Sequence, residues 1–188
     1  MTMHITLIKK HLIENSIAFM MVYVAALMMT YQSNFDVTVG SYLYLPIGAK
    51  ILAFLLFGRS VLPGVIASCI FCGVFLFNAW GGHFVFGAIG ATAGAVAPLI
   101  SMWIIEKFKI ASYSSLSGIN FRHVLFLVLF TSVIHSLSRF VLYAKSGVFD
   151  INPVDFLQHY IVGDIIGGIV VIWMVLKIVP SIISTVRA

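Results

Sequence analysis

From Asn15 to Val179 the chain is a succession of apolar runs, each close to the length of a bilayer crossing and each broken by a few glycine, proline or polar residues. A membrane helix needs about 20 apolar residues, because a rise of about 1.5 Å per residue must cover a hydrocarbon core about 30 Å thick. Six segments meet or approach that length: Asn15–Tyr31, Tyr42–Phe57, Leu62–Trp80, His83–Ile105, Arg122–Tyr143 and Phe156–Val179. Inside hydrocarbon every backbone amide must find its partner within the protein, and for runs like these that means helices. The expected fold is therefore all-α: a polytopic membrane bundle of six transmembrane helices, with residues 1–188 as a single integral membrane domain.

Charge supports this reading. Only 9% of the residues are charged, whereas a soluble domain carries about 25%. The longest polar-leaning stretch, Glu106 to Arg122, is too short for a core of its own, so no attached catalytic module is expected. The net charge of +5 is assigned to loop residues placed by topology, with no nucleic-acid partner. Lys9-Lys10-His11 before the first run resembles the start of a signal peptide. No small-x-small cleavage site leads from it into a soluble mature protein, so the run is expected to be a retained helix.

The links Gly58–Gly64 and Gly81-Gly82 are short enough to force antiparallel hairpins. With the N-terminus in the cytoplasm, Lys9, Lys10, Arg59, Lys107, Lys109, Arg122, Lys177 and Arg187 all fall on that side. Lys145 is then the lone basic loop residue outside, with Asp36, Asp150 and Asp155. The positive-inside rule favours this orientation, with both termini cytoplasmic.

Asp164 stands out within the last run, in His159-Tyr-Ile-Val-Gly-Asp-Ile-Ile-Gly-Gly168. A charge at mid-bilayer costs about 2.5–3.5 kcal/mol on insertion scales, so it marks a partner or a function. Lys50 and Asp164 lie roughly 10–12 Å from the outer ends of their helices and Arg139 about 5 Å. His135 shares a face with Arg139 at i, i+4 spacing, and His159 lies just over one turn outward of Asp164. Three readings stay open. One is a structural salt bridge of Asp164 with Lys50 or Arg139, Arg139 being also able to snorkel to the interface. Another is an outward-facing pocket for a small ligand, anionic or carboxylate because two cations face one carboxylate. The third is a proton relay through Asp164 and the histidines.

The remaining motifs have structural readings. Gly90-Ala-Thr-Ala-Gly94 and Gly163-Asp-Ile-Ile-Gly167 are small-xxx-small patterns that let helix backbones approach, within the bundle or, as the lesser alternative, between two copies of the chain. Cys69-Ile-Phe-Cys72 lies in an apolar helix and reads as two small packing residues, not a redox pair. No second cysteine pair completes a zinc site, and no metal is expected. His135 and His159 could face each other as haem ligands, but Arg139 and Asp164 crowd them, and no cofactor is expected. His11 and His123 read as interfacial, and His83 as a cap beside a glycine turn. Tyr31, Tyr42, Tyr44, Trp80, Trp103, Tyr143 and Tyr160 fall near helix ends as interfacial belt residues do, Tyr42 and Tyr44 being also placed to line a pocket near Lys50.

Two stretches resemble a known family. Tyr44-Leu-Pro-Ile-Gly-Ala-Lys-Ile-Leu-Ala-Phe-Leu-Leu-Phe-Gly-Arg-Ser-Val-Leu-Pro-Gly64 is similar to the aromatic-x-Pro-x-Gly helix, Gly-Arg turn and Pro-Gly helix start of the first class of membrane-associated sensor (MASE-type) domains. The segment His159–Gly168 resembles that family's Gly-Asp-x-x-Gly helix. The resemblance implies a bacterial inner-membrane sensor module working with a partner protein. This chain is shorter than those domains, with six expected helices against about eight and no output domain. Its size and late Gly-Asp also resemble the substrate-binding component of energy-coupling-factor transporters, where a small-residue first helix docks the partner; Ala18, Ala25 and Ala26 would supply that face here. The expected function is thus non-enzymatic ligand binding at Asp164, Lys50, Arg139, His135 and His159, for sensing or alternatively for transport, as a substrate-capture subunit or a small carrier.

Overall fold

The computed structural model describes residues 2–31, 41–78, 83–113, 121–147 and 152–186. Among them there are helices and no strands: α1 Thr2–Thr30, α2 Leu45–Phe57, α3 Leu62–Phe71, α4 Phe84–Lys107, α5 Phe121–Ser146 and α6 Pro153–Val186. Five stretches are long and apolar enough to cross a membrane: Ile8–Thr30, Leu45–Leu76, Phe84–Lys107, Phe121–Ser146 and Pro153–Val175. That is the character of a multi-pass membrane protein. Trp80, Gly81-Gly82, Asp36, Asp150 and Arg187 lie outside the described residues.

The second and third expected segments differ most from expectation. They form one apolar stretch of 32 residues, Leu45–Leu76, which doubles back at a 3-10 turn, Gly58–Val61. Gly58 takes a φ of 76°, open to glycine at no steric cost, and so ends α2. The arms are short: α2 has 13 residues and α3 has 10, continued by a five-residue π turn, Cys72–Leu76. There the Phe77 N–H reaches back to the Cys72 carbonyl at 3.0 Å, so the expected α-helical run to Trp80 ends early.

Side-chain contacts show the reversal. The Ser68 hydroxyl donates to the Phe19 carbonyl at 3.0 Å and Tyr23 packs edge-on against Phe71, so α3 runs alongside α1 in the same direction. The turn at Ser60 meets Asn15, whereas Lys50 lines a cavity with Val22, Ala26 and Cys69, so α2 runs the opposite way. α1 packs on α2 and α3, α3 on α4, α4 on α5, α5 on α6, and α6 on α2, which closes a ring. α2 leans into that ring, with every residue from Pro46 to Phe54 buried. Pro46 is in its first turn, where a missing N–H costs little.

Asn15 pins the hairpin. Its amide nitrogen donates to the His11 carbonyl at 2.8 Å and the Ser60 carbonyl at 3.1 Å. Its carbonyl oxygen accepts the Gly64 N–H at 2.7 Å, one of the amides that a helix start leaves without an internal partner. Asn15→Ala is expected to cost about 1–3 kcal/mol, because that N–H and the Ser60 carbonyl lose their partner. Unfolding titrations with sodium dodecyl sulfate in mild detergent would measure it, and a cost below about 0.5 kcal/mol would show that the clamp adds nothing.

Basic residues gather at the same end of the bundle. Arg59 Nη2 lies 3.1 Å from Glu106 Oε2, and Glu106 Oε1 accepts the Tyr113 N–H at 3.1 Å. Burial, then Glu106, pushes the Tyr113 phenol up to about 12, so it stays protonated and donates to the His123 carbonyl at 2.9 Å. Lys107 sits 4.7 Å from the centre of the Trp103 ring.

Candidate functional site

Gly163 and Gly167 bring the start of α2 against α6. A Cβ on Gly163 would run into the Ser41 carbonyl oxygen, and one on Gly167 into the Tyr44 carbonyl. Bare backbone there lets the Tyr44 N–H donate to the Gly163 carbonyl at 2.9 Å. The small-residue pattern thus packs α6 against the lead-in to α2, as close approach of helix backbones requires. It also carries Asp164 to the middle of the bundle, where the residue is fully buried.

Asp164 pairs with His135. Asp164 Oδ2 lies 2.6 Å from His135 Nδ1, and both side chains are shielded from solvent. Neither Lys50 nor Arg139 forms an ion pair with Asp164 among the described residues. A Cβ on Gly94 would lie 2.9 Å from His135 Nε2, so glycine makes the space that the imidazole occupies. The Tyr44 ring stacks on His135, with centroids 5.6 Å apart and planes at 26°.

Lys50 has a separate anchor. Its ammonium donates to the Gly94 carbonyl at 3.0 Å and lies 5.5 Å from the centre of the Tyr44 ring. That carbonyl is available for a reason written in the sequence. In an α-helix Gly94 would accept from the residue four positions on, which is Pro98, and proline has no N–H. One glycine thus makes room for His135 with its missing side chain and holds Lys50 with its carbonyl.

These groups border a cavity of about 40 Å³, walled by Tyr44, Lys50, His135, Arg139, Tyr160 and Asp164, with Cys69 and Cys72 on its α3 side. Both cysteines are free thiols. Asp164 Oδ1, His135 Nε2 and Arg139 Nε are buried there without a hydrogen-bond partner. Native proteins satisfy almost all such atoms, so a group of them around a void marks a place where water or a ligand completes the bonding. A water needs about 10–15 Å³ by the same measure, so the cavity holds about three waters or a molecule of a few heavy atoms. Its charged wall residues Lys50 and Asp164 are deeply buried, at 1% and 0% exposure.

Four of the five expected residues, Asp164, Lys50, Arg139 and His135, converge on this cavity. His159 does not. It is half-buried, its Nδ1 bonds the Asp155 carbonyl at 2.7 Å, and its ring lies 4.3 Å from that of Tyr42. Tyr160 and Tyr143, expected as interfacial belt residues, are instead buried at 9% and 0% exposure. The signal was present: Tyr160 is four residues before Asp164 and Tyr143 four after Arg139, which puts each on the face of its charged neighbour. Tyr31, Tyr42 and Trp103 are exposed, as belt residues are.

Among the described residues, the fold and the site define an all-helical, multi-pass bundle with a polar cavity at its centre. No protein-family model, curated protein or solved structure matches the chain.

Proposed function

We propose that this chain is a small membrane-embedded binding protein that holds a small anion or carboxylate in the central cavity and conveys its presence to a partner protein, without catalysis. The observation that carries this reading is the group of unpartnered buried atoms, Asp164 Oδ1, His135 Nε2 and Arg139 Nε, around space for a few heavy atoms. Lys50 and Arg139 set two cationic groups against one carboxylate, which favours a negatively charged occupant. An ion the size of formate, bicarbonate, nitrate or acetate fits the volume. A vitamin-sized substrate does not, since pockets for such ligands run to about 300–1,000 Å³.

The chain resides in a bacterial inner membrane and crosses it six times, with both termini cytoplasmic. The reversal at Gly58 supports six passages, because α2 and α3 run in opposite directions. Lys9, Lys10, Arg59, Lys107, Lys109 and Arg122 fall at one end of the helices, and Lys145 and Asp155 at the other, which supports the orientation. The resemblance of Tyr44–Gly64 and His159–Gly168 to MASE-type domains supports sensing. Substrate capture would use the same cavity, but Ala18, Ala25 and Ala26 are buried within the bundle rather than forming an outer docking face.

Thermal unfolding of the purified chain in mild detergent tests the proposal, with sodium formate, acetate, nitrate and bicarbonate each compared with chloride at constant ionic strength. At saturation one of them is expected to raise the midpoint by about 5 °C or more, and Arg139→Gln to abolish that rise. The reading fails if no anion acts, or if Arg139→Gln leaves the rise intact.

A further inference from the structure

On the outer face of the bundle, away from the central cavity, α1 and α6 each pack on α2 and leave a groove between them. Met20, Val24 and Met28 of α1 and Met174 of α6 form its walls, and Ala49 and Leu52 of the recessed α2 form its floor. The groove encloses about 600 Å³ and is almost wholly apolar. Its walls are exposed, Met20 at 51% and Met28 at 54%. Methionine is flexible and polarizable, suited to an irregular apolar chain.

Two features select the occupant. The groove runs along α1 from Ser16 to Met28, about 18 Å at 1.5 Å per residue. That is close to one leaflet, about half of the 30 Å hydrocarbon core, whereas a partner helix would follow the full thickness. The Ser16 end is also the basic end, next to the Asn15 clamp and the Arg59–Glu106 pair. Lys9 is seven residues before Ser16 and shares its face, and Lys177 is two residues beyond Val175, the last groove residue of α6. Lys9, Lys10 and Lys177 are exposed, Lys10 with its ammonium also 3.8 Å from the Glu14 carboxylate. Cations at headgroup depth below a leaflet-long apolar groove are complementary to one lipid class.

We infer that the groove between α1 and α6 is a binding site for an anionic phospholipid, with one acyl chain on α2 and the headgroup at Lys9, Lys10 and Lys177. Native mass spectrometry of the full chain, released from detergent with equal amounts of dioleoyl-phosphatidylglycerol and dioleoyl-phosphatidylcholine, tests it. Retained phosphatidylglycerol is expected to exceed phosphatidylcholine, and the triple variant Lys9→Gln/Lys10→Gln/Lys177→Gln to lower that ratio about tenfold or more. Met20→Trp with Met174→Trp, at exposed rim positions, is expected to reduce retention of both lipids while the thermal midpoint stays within a few degrees. Equal retention of the two lipids that the charge variant leaves unchanged would overturn the assignment. So would a two-chain species that carries no lipid and is lost in the rim variant, since a second copy would then fill the groove.

Discussion

Gly163→Val is expected to abolish the folded state, destabilising the bundle by at least about 3 kcal/mol. Overpacking a core usually costs about 1–3 kcal/mol, because side chains can turn aside. Here the neighbour is the Ser41 backbone carbonyl, and the Gly163 carbonyl is itself bonded to the Tyr44 N–H. Relief means moving the lead-in to α2, and with it Tyr44 and the ring stacked on it. Gly73→Ala is the matched control: a Cβ there meets nothing within 4 Å. Size-exclusion profiles and detergent unfolding curves should show Gly163→Val aggregated or lost and Gly73→Ala close to the parent. A monodisperse Gly163→Val of parental stability would show that the close approach is not required.

Breaking the His135–Asp164 pair from one side is expected to cost about 3–5 kcal/mol, and removing both partners to cost clearly less than the sum. Asp164→Leu leaves His135 without a bond at either nitrogen and removes the one carboxylate that lines the cavity with Lys50 and Arg139 among the described residues. His135→Leu leaves both oxygens of the buried Asp164 unpartnered. The double variant presents two apolar side chains to each other. Unfolding free energies of the four proteins give the interaction energy directly. Single variants within about 1 kcal/mol of the parent would remove the pair as a structural element and leave it a ligand-binding role only.

Much of the bundle could be read from hydrophobic runs and tight links, because those depend on segment length alone. Helix ends were less legible where polar residues still favour helix. α1 begins at Thr2 rather than near Asn15, with Lys10 and Glu14 pairing across one turn at 3.8 Å. α6 begins at Pro153, ahead of Phe156, because the Asn152 side chain caps it by accepting the Val154 N–H at 3.0 Å. An Asn-Pro pair before an apolar run carries that signal. The site residues were found by the cost of burying charge, but their partners were not. Asp164 was matched with cations at its own depth, whereas the bonding partner depends on which helix faces which. Gly94 decided it by admitting His135, while Pro98, four residues on, freed the carbonyl that holds Lys50.

The short hairpin arms also set a timetable for synthesis. Neither α2 nor the arm from Leu62 to Leu76 reaches about 20 residues, so neither is long enough to enter the bilayer as a solitary segment. In the proposed six-pass topology the two leave the translocation machinery together, carrying Lys50 with them. The carbonyl that receives Lys50 belongs to Gly94, 18 residues beyond Leu76. At elongation rates of about 5–20 residues per second, that delay is about 1–4 seconds. Through that interval the nascent hairpin holds an unanchored ammonium in or beside the membrane, and the emergence of α4 is the event that commits it.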